Sequence, residues 1–246
     1  MKNILCITKR ELGGYFATPV AYVFIVIFLL LAGFFTFQIA DIYDEGNGQA
    51  SLVPFFGWHP WLYLFLVPAI SMRLWAEERK TGTIELLMTL PITLPEAVLG
   101  KFLAAWLFAG VALLLTFPTW ITISYLGDPD NGMIVAGYLG SFLLAGAFLA
   151  IGSCVSALTK NQVIAFVISV AISLGFLLTG FPPFIRFFSG WLPGAVVDAI
   201  ASFSFFTHFD GISKGLLEAR DLVFFASLIA FALFANALIL EVKKAD

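Results

Sequence analysis

Apolar residues in this chain come in long runs, and charges cluster between them. Six stretches hold no Asp, Glu, Lys or Arg: Leu12–Ala40, Gly46–Met72, Phe102–Gly127, Asn131–Thr159, Asn161–Ile185 and Leu222–Leu240. A helix needs about 20 residues to cross the hydrocarbon of a bilayer, and each run can do so. Runs such as VFIVIFLLLAGFFTF do not alternate, which argues against a membrane barrel. Helices also satisfy their own backbone in lipid. The pattern predicts an all-α polytopic membrane protein, one domain over 1–246, with six transmembrane helices at about 18–40, 52–75, 99–126, 133–159, 162–181 and 221–241. Before the first span, Ile4, Leu5, Thr8 and Leu12 share one side of an amphipathic helix expected to lie along the membrane surface. Lys9, Arg10 and Glu11 interrupt too early for a cleavable signal, so the first span is read as uncleaved. The aromatic segment 182–220 is broken by Pro182, Pro183 and Pro193 and predicts short interfacial or re-entrant helices.

Composition agrees with the pattern. Hydrophobic residues make up 61% of the 246 and charged residues only 12%, about half the share in a soluble protein. Orientation follows from the cations. With six spans, one side holds Lys2, Lys9, Arg10, Arg73, Arg79, Lys80, Lys101, Lys160, Lys243 and Lys244, and the other holds Arg186, Lys214 and Arg220. The positive-inside rule puts the first side, with both termini, in the cytoplasm of a cell whose plasma (inner) membrane holds the chain.

Candidate chemistry is sparse. There is no HExxH, GxSxG or CxxC, and no GxxxxGK[ST] to bind ATP. His59 in GWHPW and His208 in FTHFD are expected at the outer face, and Asp210 beside His208 reads as a surface or capping residue. Cys6 and Cys154 read as packing residues, and no metal site is expected. Gly137, Ser141 and Ala145, with Ser153 and Ala157, put small residues at four-residue spacing in the fourth span, which suits close helix packing. The spans carry no firmly buried Asp, Glu, Lys or Arg by this reading, which argues against ion-coupled transport. Nothing points to catalysis, a cofactor or nucleic acid.

One stretch stands out. AEERKTGTIELLMTLPIT, Ala76–Thr93, gathers Glu77, Glu78, Arg79 and Lys80 in front of a short apolar run. Gly82 permits a sharp turn, Thr83 can cap a helix start, and Pro91 ends the run. Between them Ile84, Leu87 and Met88 share one helical face, with Glu85 across the turn from Met88. A short helix over 83–90 thus presents an apolar face that either a membrane surface or a partner protein can cover, and the four charges can equally be solvated.

This stretch resembles the hallmark of the permease subunit of ABC-2 type transporters, in the branch with gliding-motility and nitrous-oxide-reductase-maturation permeases. The match is carried by Glu77, Glu78, Gly82, Thr83, Glu85, Leu86, Leu87, Pro91 and Lys101. TKRELGGYFATPVAYVF resembles the family's leading helix, and the stretch from HFDGISKGLLEARDLVFF through the last span resembles its closing element. The resemblance implies a permease that pairs with a second, identical or related, permease. It also implies a separate ABC ATP-binding subunit holding ATP and Mg, with helix 83–90 as the coupling helix. An extracytoplasmic auxiliary protein is a further partner compatible with it. The alternative is an assembly or mechanotransmission component driven by the same kind of ATPase without transport. A reporter fused after Asp246 or after Lys80 is expected to read cytoplasmic, and one near Asp128 outside. A C-terminus that reads outside overturns the six-span order.

Overall fold

The computed structural model describes residues 2–39, 43–44, 49–85, 91–190 and 193–243. Its described residues are almost entirely helical. In chain order the helices are α1 (Lys2–Phe16), α2 (Pro19–Phe34, running into a π turn at Phe35–Ile39), α3 (Val53–Ser71), α4 (Arg73–Thr81), α5 (Leu94–Leu114), α6 (Phe117–Leu126), α7 (Asn131–Leu158), α8 (Gln162–Leu178), α9 (Pro182–Ser189), α10 (Gly194–Ala201), α11 (Phe205–Ser213) and α12 (Ala219–Val242). Tyr43–Asp44 and Gln49–Ala50 form a small antiparallel pair between α2 and α3.

Five helical stretches are long and apolar enough to cross a membrane: Pro19–Gln38, Val53–Thr81, Leu94–Leu126, Asn131–Leu158 and Ala219–Val242. Helix α8 bends by 68° into α9, and the pair counts as a sixth crossing if taken together. The protein is an integral membrane protein of the polytopic all-α class. Two crossings are broken. The second breaks at Met72 between α3 and α4, and the third at Leu115–Thr116, just before Pro118. Proline has no N–H to continue the ladder, and threonine hydroxyls add bonds around the break: Thr116 Oγ1 donates to the Leu113 carbonyl at 2.6 Å and Thr119 Oγ1 to the Thr116 carbonyl at 2.7 Å, both of which also accept a backbone N–H. The third stretch also starts earlier than the apolar run, at Leu94, because Thr93 and Glu96 form a capping box around Pro95.

Helix α7 is the centre. It packs against α3, α4, α5, α8, α11 and α12. Its small residues are what let those neighbours in. A Cβ on Gly140 would sit 2.5 Å from Ile212, one on Gly146 2.8 Å from Trp106, and one on Gly152 would overlap the Ser71 side chain. In lipid, where apolar surface gains little by meeting apolar surface, such close approach supplies the van der Waals contact that holds helices together.

Several polar groups lie deeper than the sequence predicts. His59 is fully buried in α3, with Nδ1 2.6 Å from Ser141 Oγ, because α3 starts at Val53 and carries it almost two turns into the bundle. His208 is buried too, and its partner is Asp221 of α12 rather than Asp210. Nδ1 lies 2.6 Å from Asp221 Oδ1 and Nε2 lies 2.9 Å from the Ser202 carbonyl. A carbonyl only accepts, so Nε2 carries a proton, and the ring ties α11 to the start of α12. Asp210 instead pairs with Lys214 at 2.6 Å on the exposed side. The spans therefore do hold buried charge, at Asp221 and at Lys101. Of the cysteines, Cys154 is half-buried but Cys6 is exposed.

Replacing Gly152 by Val is expected to lower stability by ~1–3 kcal/mol through overpacking at Ser71. Gly175→Ala, where an added Cβ meets nothing within 4 Å, serves as the silent control. Thermal unfolding of the two purified variants in detergent measures the difference.

Candidate functional site

Helix α4 carries the charged stretch, and its position is set by its first turn. The opening N–H groups of a helix have no partner within it. Here the Trp75 and Ala76 N–H groups donate to Ser156 Oγ of α7 at 3.1 and 3.0 Å, and the same hydroxyl donates to the Met72 carbonyl at 2.9 Å. Trp75 is fully buried, and its indole N–H donates to Ser153 Oγ at 3.3 Å. Asn236 of α12 donates to the same Ser153 oxygen at 2.7 Å. One turn further along α4, Arg79 Nη1 donates to the Ala157 carbonyl at 2.5 Å, and Lys243 of α12 donates to the neighbouring Leu158 carbonyl. Two cations thus cover the C-terminal carbonyls of α7, where the helix dipole favours them.

Lys101 of α5 lies against α4. Its side chain is only 3% exposed, yet its ammonium lies 2.7 Å from Glu78 Oε1 and 3.3 Å from Glu11 Oε2, and 5.4 Å from the centre of the Trp75 indole. Glu11 also pairs with Arg10 at 2.6 Å. Burial pushes the Glu11 carboxyl up, but Lys101 and Arg10 outweigh it and hold it below its ordinary value of 4.5. Its contribution to stability is therefore complete above pH 4.5 and is lost as the pH falls through the lowered value.

The cluster joins three elements. Helix α1 lies along α5 with Ile7 and Thr8 buried. Thr8 Oγ1 donates to the Gly100 carbonyl at 3.2 Å, and a Cβ on Gly100 would fall 2.7 Å from Ile7. The inward face is thus Ile7, Thr8 and Glu11, and Leu5, expected on that face, is 66% exposed. The start of α5 is held as well. Glu96 accepts from the Thr93 N–H at 3.0 Å, Thr93 Oγ1 accepts from the Glu96 N–H at 3.4 Å, and Asn3 donates to the Glu96 carboxylate at 3.2 Å. The apolar run alone places this helix start near 99, and the T-x-x-E spacing of Thr93–Glu96 is the signal in the sequence that marks the true one.

Between these two supports runs the segment 82–93. Gly82 has φ 74°, the left-handed region, and caps α4. Thr83, Ile84 and Glu85 begin a further helical turn, with the Glu85 N–H donating to the Gly82 carbonyl at 3.3 Å. The Thr83 hydroxyl lies 3.0 Å from that of Thr81. Glu77, Thr83, Glu85 and Pro91 are exposed, while Ile84 is half-buried against the hydrophobic core. Leu86, Leu87 and Met88 lie outside the described residues. Glu78 and Lys101 are brought together, whereas Glu77 and Glu85 stand apart from the cluster.

Residues 23–189 match the ABC-2 family transporter protein family. The chain belongs to the ABC-2 transporter family. The matched range runs from within α2 to the end of α9 and so contains the 82–93 segment, while α1 and α12 fall outside. No curated protein matches the chain. The protein is thus a membrane permease subunit of an ABC transporter. ABC-2 permeases are generally non-catalytic and generally work with an ABC ATP-binding subunit.

Lys101→Met leaves two largely buried carboxylates facing each other, and is expected to cost ~3–5 kcal/mol. Adding Glu11→Gln and Glu78→Gln to it should restore most of the loss, because no unpaired charge is then buried. Thermal unfolding of the single and triple variants tests this, and a Lys101→Met permease as stable as the parent would show that the cluster supports nothing.

Proposed function

We propose that the chain is the membrane half of an ATP-driven ABC-2 complex of the gliding-motility and nitrous-oxide-reductase-maturation kind. In this reading it exports or translocates a substrate using ATP hydrolysed, with Mg, by a separate subunit. The segment 83–90 is the coupling helix that docks on that ATPase, and Glu77, Glu78, Gly82, Thr83, Ile84, Glu85, Leu87, Met88 and Pro91 make up the coupling element. Two permeases pair in the plasma (inner) membrane, with both termini and the coupling element on the cytoplasmic side.

The observation that supports this reading best is the support of one short segment at both of its ends. Glu78 and Arg79 fix α4 just before Gly82, and the Thr93–Glu96 box and Lys101 fix α5 just after it. A solvent loop with no mechanical role has no need of such anchoring. A lever that passes a partner's motion into α4, α5 and α7 does need it. Each residue then has its own part. Gly82 sets the exit angle, Leu87 and Met88 supply the docking face, and Glu78 carries the load to Lys101.

Full burial of one apolar side chain contributes roughly 1.5–3 kcal/mol. Leu87→Asp with Met88→Asp is therefore expected to abolish co-purification of a tagged ATPase subunit while leaving membrane insertion unchanged. Glu85→Ala, which removes at most an exposed ion pair worth about 0–1 kcal/mol, should weaken it far less. Parental ATPase binding by the double Asp variant would place the docking site elsewhere, first at the turn Thr159–Gln162 beside Lys80.

A further inference from the structure

A cavity of about 480 Å³ opens beside the ion cluster, between α1 and α2 on one side and α3, α4 and α5 on the other. Its wall changes character along its length. Along the candidate spans it is apolar, lined by Val20 at the start of α2, then Val23 and Ile27, and by Leu66 and Ile70 from α3. Val20, Val23 and Ile27 are 49%, 55% and 41% exposed, so the slot is open sideways to the hydrocarbon in which the spans lie. Following α3 into α4, the lining passes from Leu66 and Ile70 to Arg73 and then to Glu77 and Glu78. It goes, in order, from apolar to cationic to anionic.

The charges at the mouth are only partly used. Lys101 is taken up by Glu78 and Glu11. Arg73 and Glu77, one helical turn apart on α4, form no ion pair with each other or with any other described residue. Glu78 Oε2 is buried without a hydrogen-bond partner among the described residues. With Arg10 bonded to Glu11, three carboxylates (Glu11, Glu77, Glu78) balance three cations (Arg10, Arg73, Lys101), and the unpaired Arg73 and Glu77 offer one charge of each sign to a ligand that carries both.

We propose that this slot holds a zwitterionic, amine-bearing phospholipid, its acyl chain between α2 and α3, its phosphate at Arg73 and its ammonium at Glu77 and Glu78. The order of the lining is the order of such a lipid from tail to headgroup. An arginine fork matches a phosphate in geometry as well as in charge, and a carboxylate pair offers an ammonium its acceptors. The break at Ala17–Thr18 between α1 and α2 sets the mouth where the chain enters its first span, at headgroup depth. A second copy of the chain is the competing occupant, but a protein face filling the slot would have to bring its own paired charges to Arg73 and Glu77. A bound lipid would brace α1 and α4 against α2 beside the cluster, whether or not the complex transports anything.

Native mass spectrometry of the full chain, extracted from vesicles of equal phosphatidylethanolamine and phosphatidylglycerol, counts what is retained. Phosphatidylethanolamine is expected to be kept in preference. Arg73→Gln and Glu77→Gln should each lower its retention ~tenfold, the effect of losing one charge-assisted contact. Val23→Trp, which fills the slot and leaves every mouth charge in place, should displace it as well, and thermal unfolding identifies any variant that fails to fold. Preferential retention of phosphatidylglycerol would overturn the proposal, as would phosphatidylethanolamine retention unchanged in the folded variants. Near-complete disulfide formation between two copies of Val23→Cys in native membranes would assign the slot to a second copy instead.

Discussion

One hydroxyl bonds three backbone groups at the break between α3 and α4. The Met72 carbonyl and the Trp75 and Ala76 N–H groups lie inside a candidate span, where an unsatisfied backbone group costs several kcal/mol. A serine hydroxyl has one proton to give and two lone pairs to offer, and Ser156 uses all of them here. For that to happen α7 must come close to α4, and its lower half is made of the small residues that allow it: Gly152, Ser153, Ser156 and Ala157. The rest follows from this approach. Trp75 is driven into the bundle, Arg79 reaches the Ala157 carbonyl, and the indole becomes the surface over which Lys101 lies.

Lys101 makes sense only in that setting. Taking an ammonium out of water costs several kcal/mol, and two carboxylates with an aromatic face offset it. A buried ion pair is weak grounds for extra stability, since apolar residues can often replace it without loss. What it does fix is register. One ammonium bonded to Glu11 and Glu78 holds α1, α4 and α5 in a single relative position, which apolar side chains, tolerant of sliding, would leave loose.

The spans are legible in the sequence because lipid imposes a simple rule: apolar, long and without charge. In the segment 182–220 the prolines mark the starts of α9 and α10, whereas the break before α11 falls at Ser202–Ser204, where Ser204 caps the next helix. The charges within the spans are not legible. Lys101 sits 90 positions from Glu11 and 23 from Glu78, and Asp221 reads as the charged edge of the last span until His208 is brought to it. Pairing of this kind is a property of the fold. The burial of His59 is hidden for a related reason: Trp58 and Trp61 around it suggest an interfacial belt, and its neighbours Ser141 and Phe28 come from other helices. On α1 the error is one of phase: both Leu5 and Ile7 are apolar, and the choice between them is made by Gly100 of a helix far along the chain. In the loop, Gly82 is readable because its conformation is local, whereas the half-buried state of Ile84 depends on the bundle beneath it.

If the segment 83–90 receives a push, these contacts decide where the push goes. It cannot stop at the loop, because neither end is free to move alone. Helix α4 is bonded to α7 through Ser156 and Ala157, and to α5 and α1 through Lys101. Displacing α4 therefore either breaks contacts in the middle of the bundle or moves its neighbours with it. The helical ladder is interrupted further off at Ala17–Thr18 and at Leu115–Thr116, where helices stop and restart, whereas the break at Met72 is held to α7 by Ser156. A body made of α1, α4 and the first part of α5 can turn at Ala17–Thr18 and Leu115–Thr116 only by carrying α7 with it through Ser156 and Ala157, and each of these two breaks stands at the end of a candidate span or within it. Motion delivered at one short surface helix would thus reach three spans at once, with the strain taken up where the helical ladder is already interrupted.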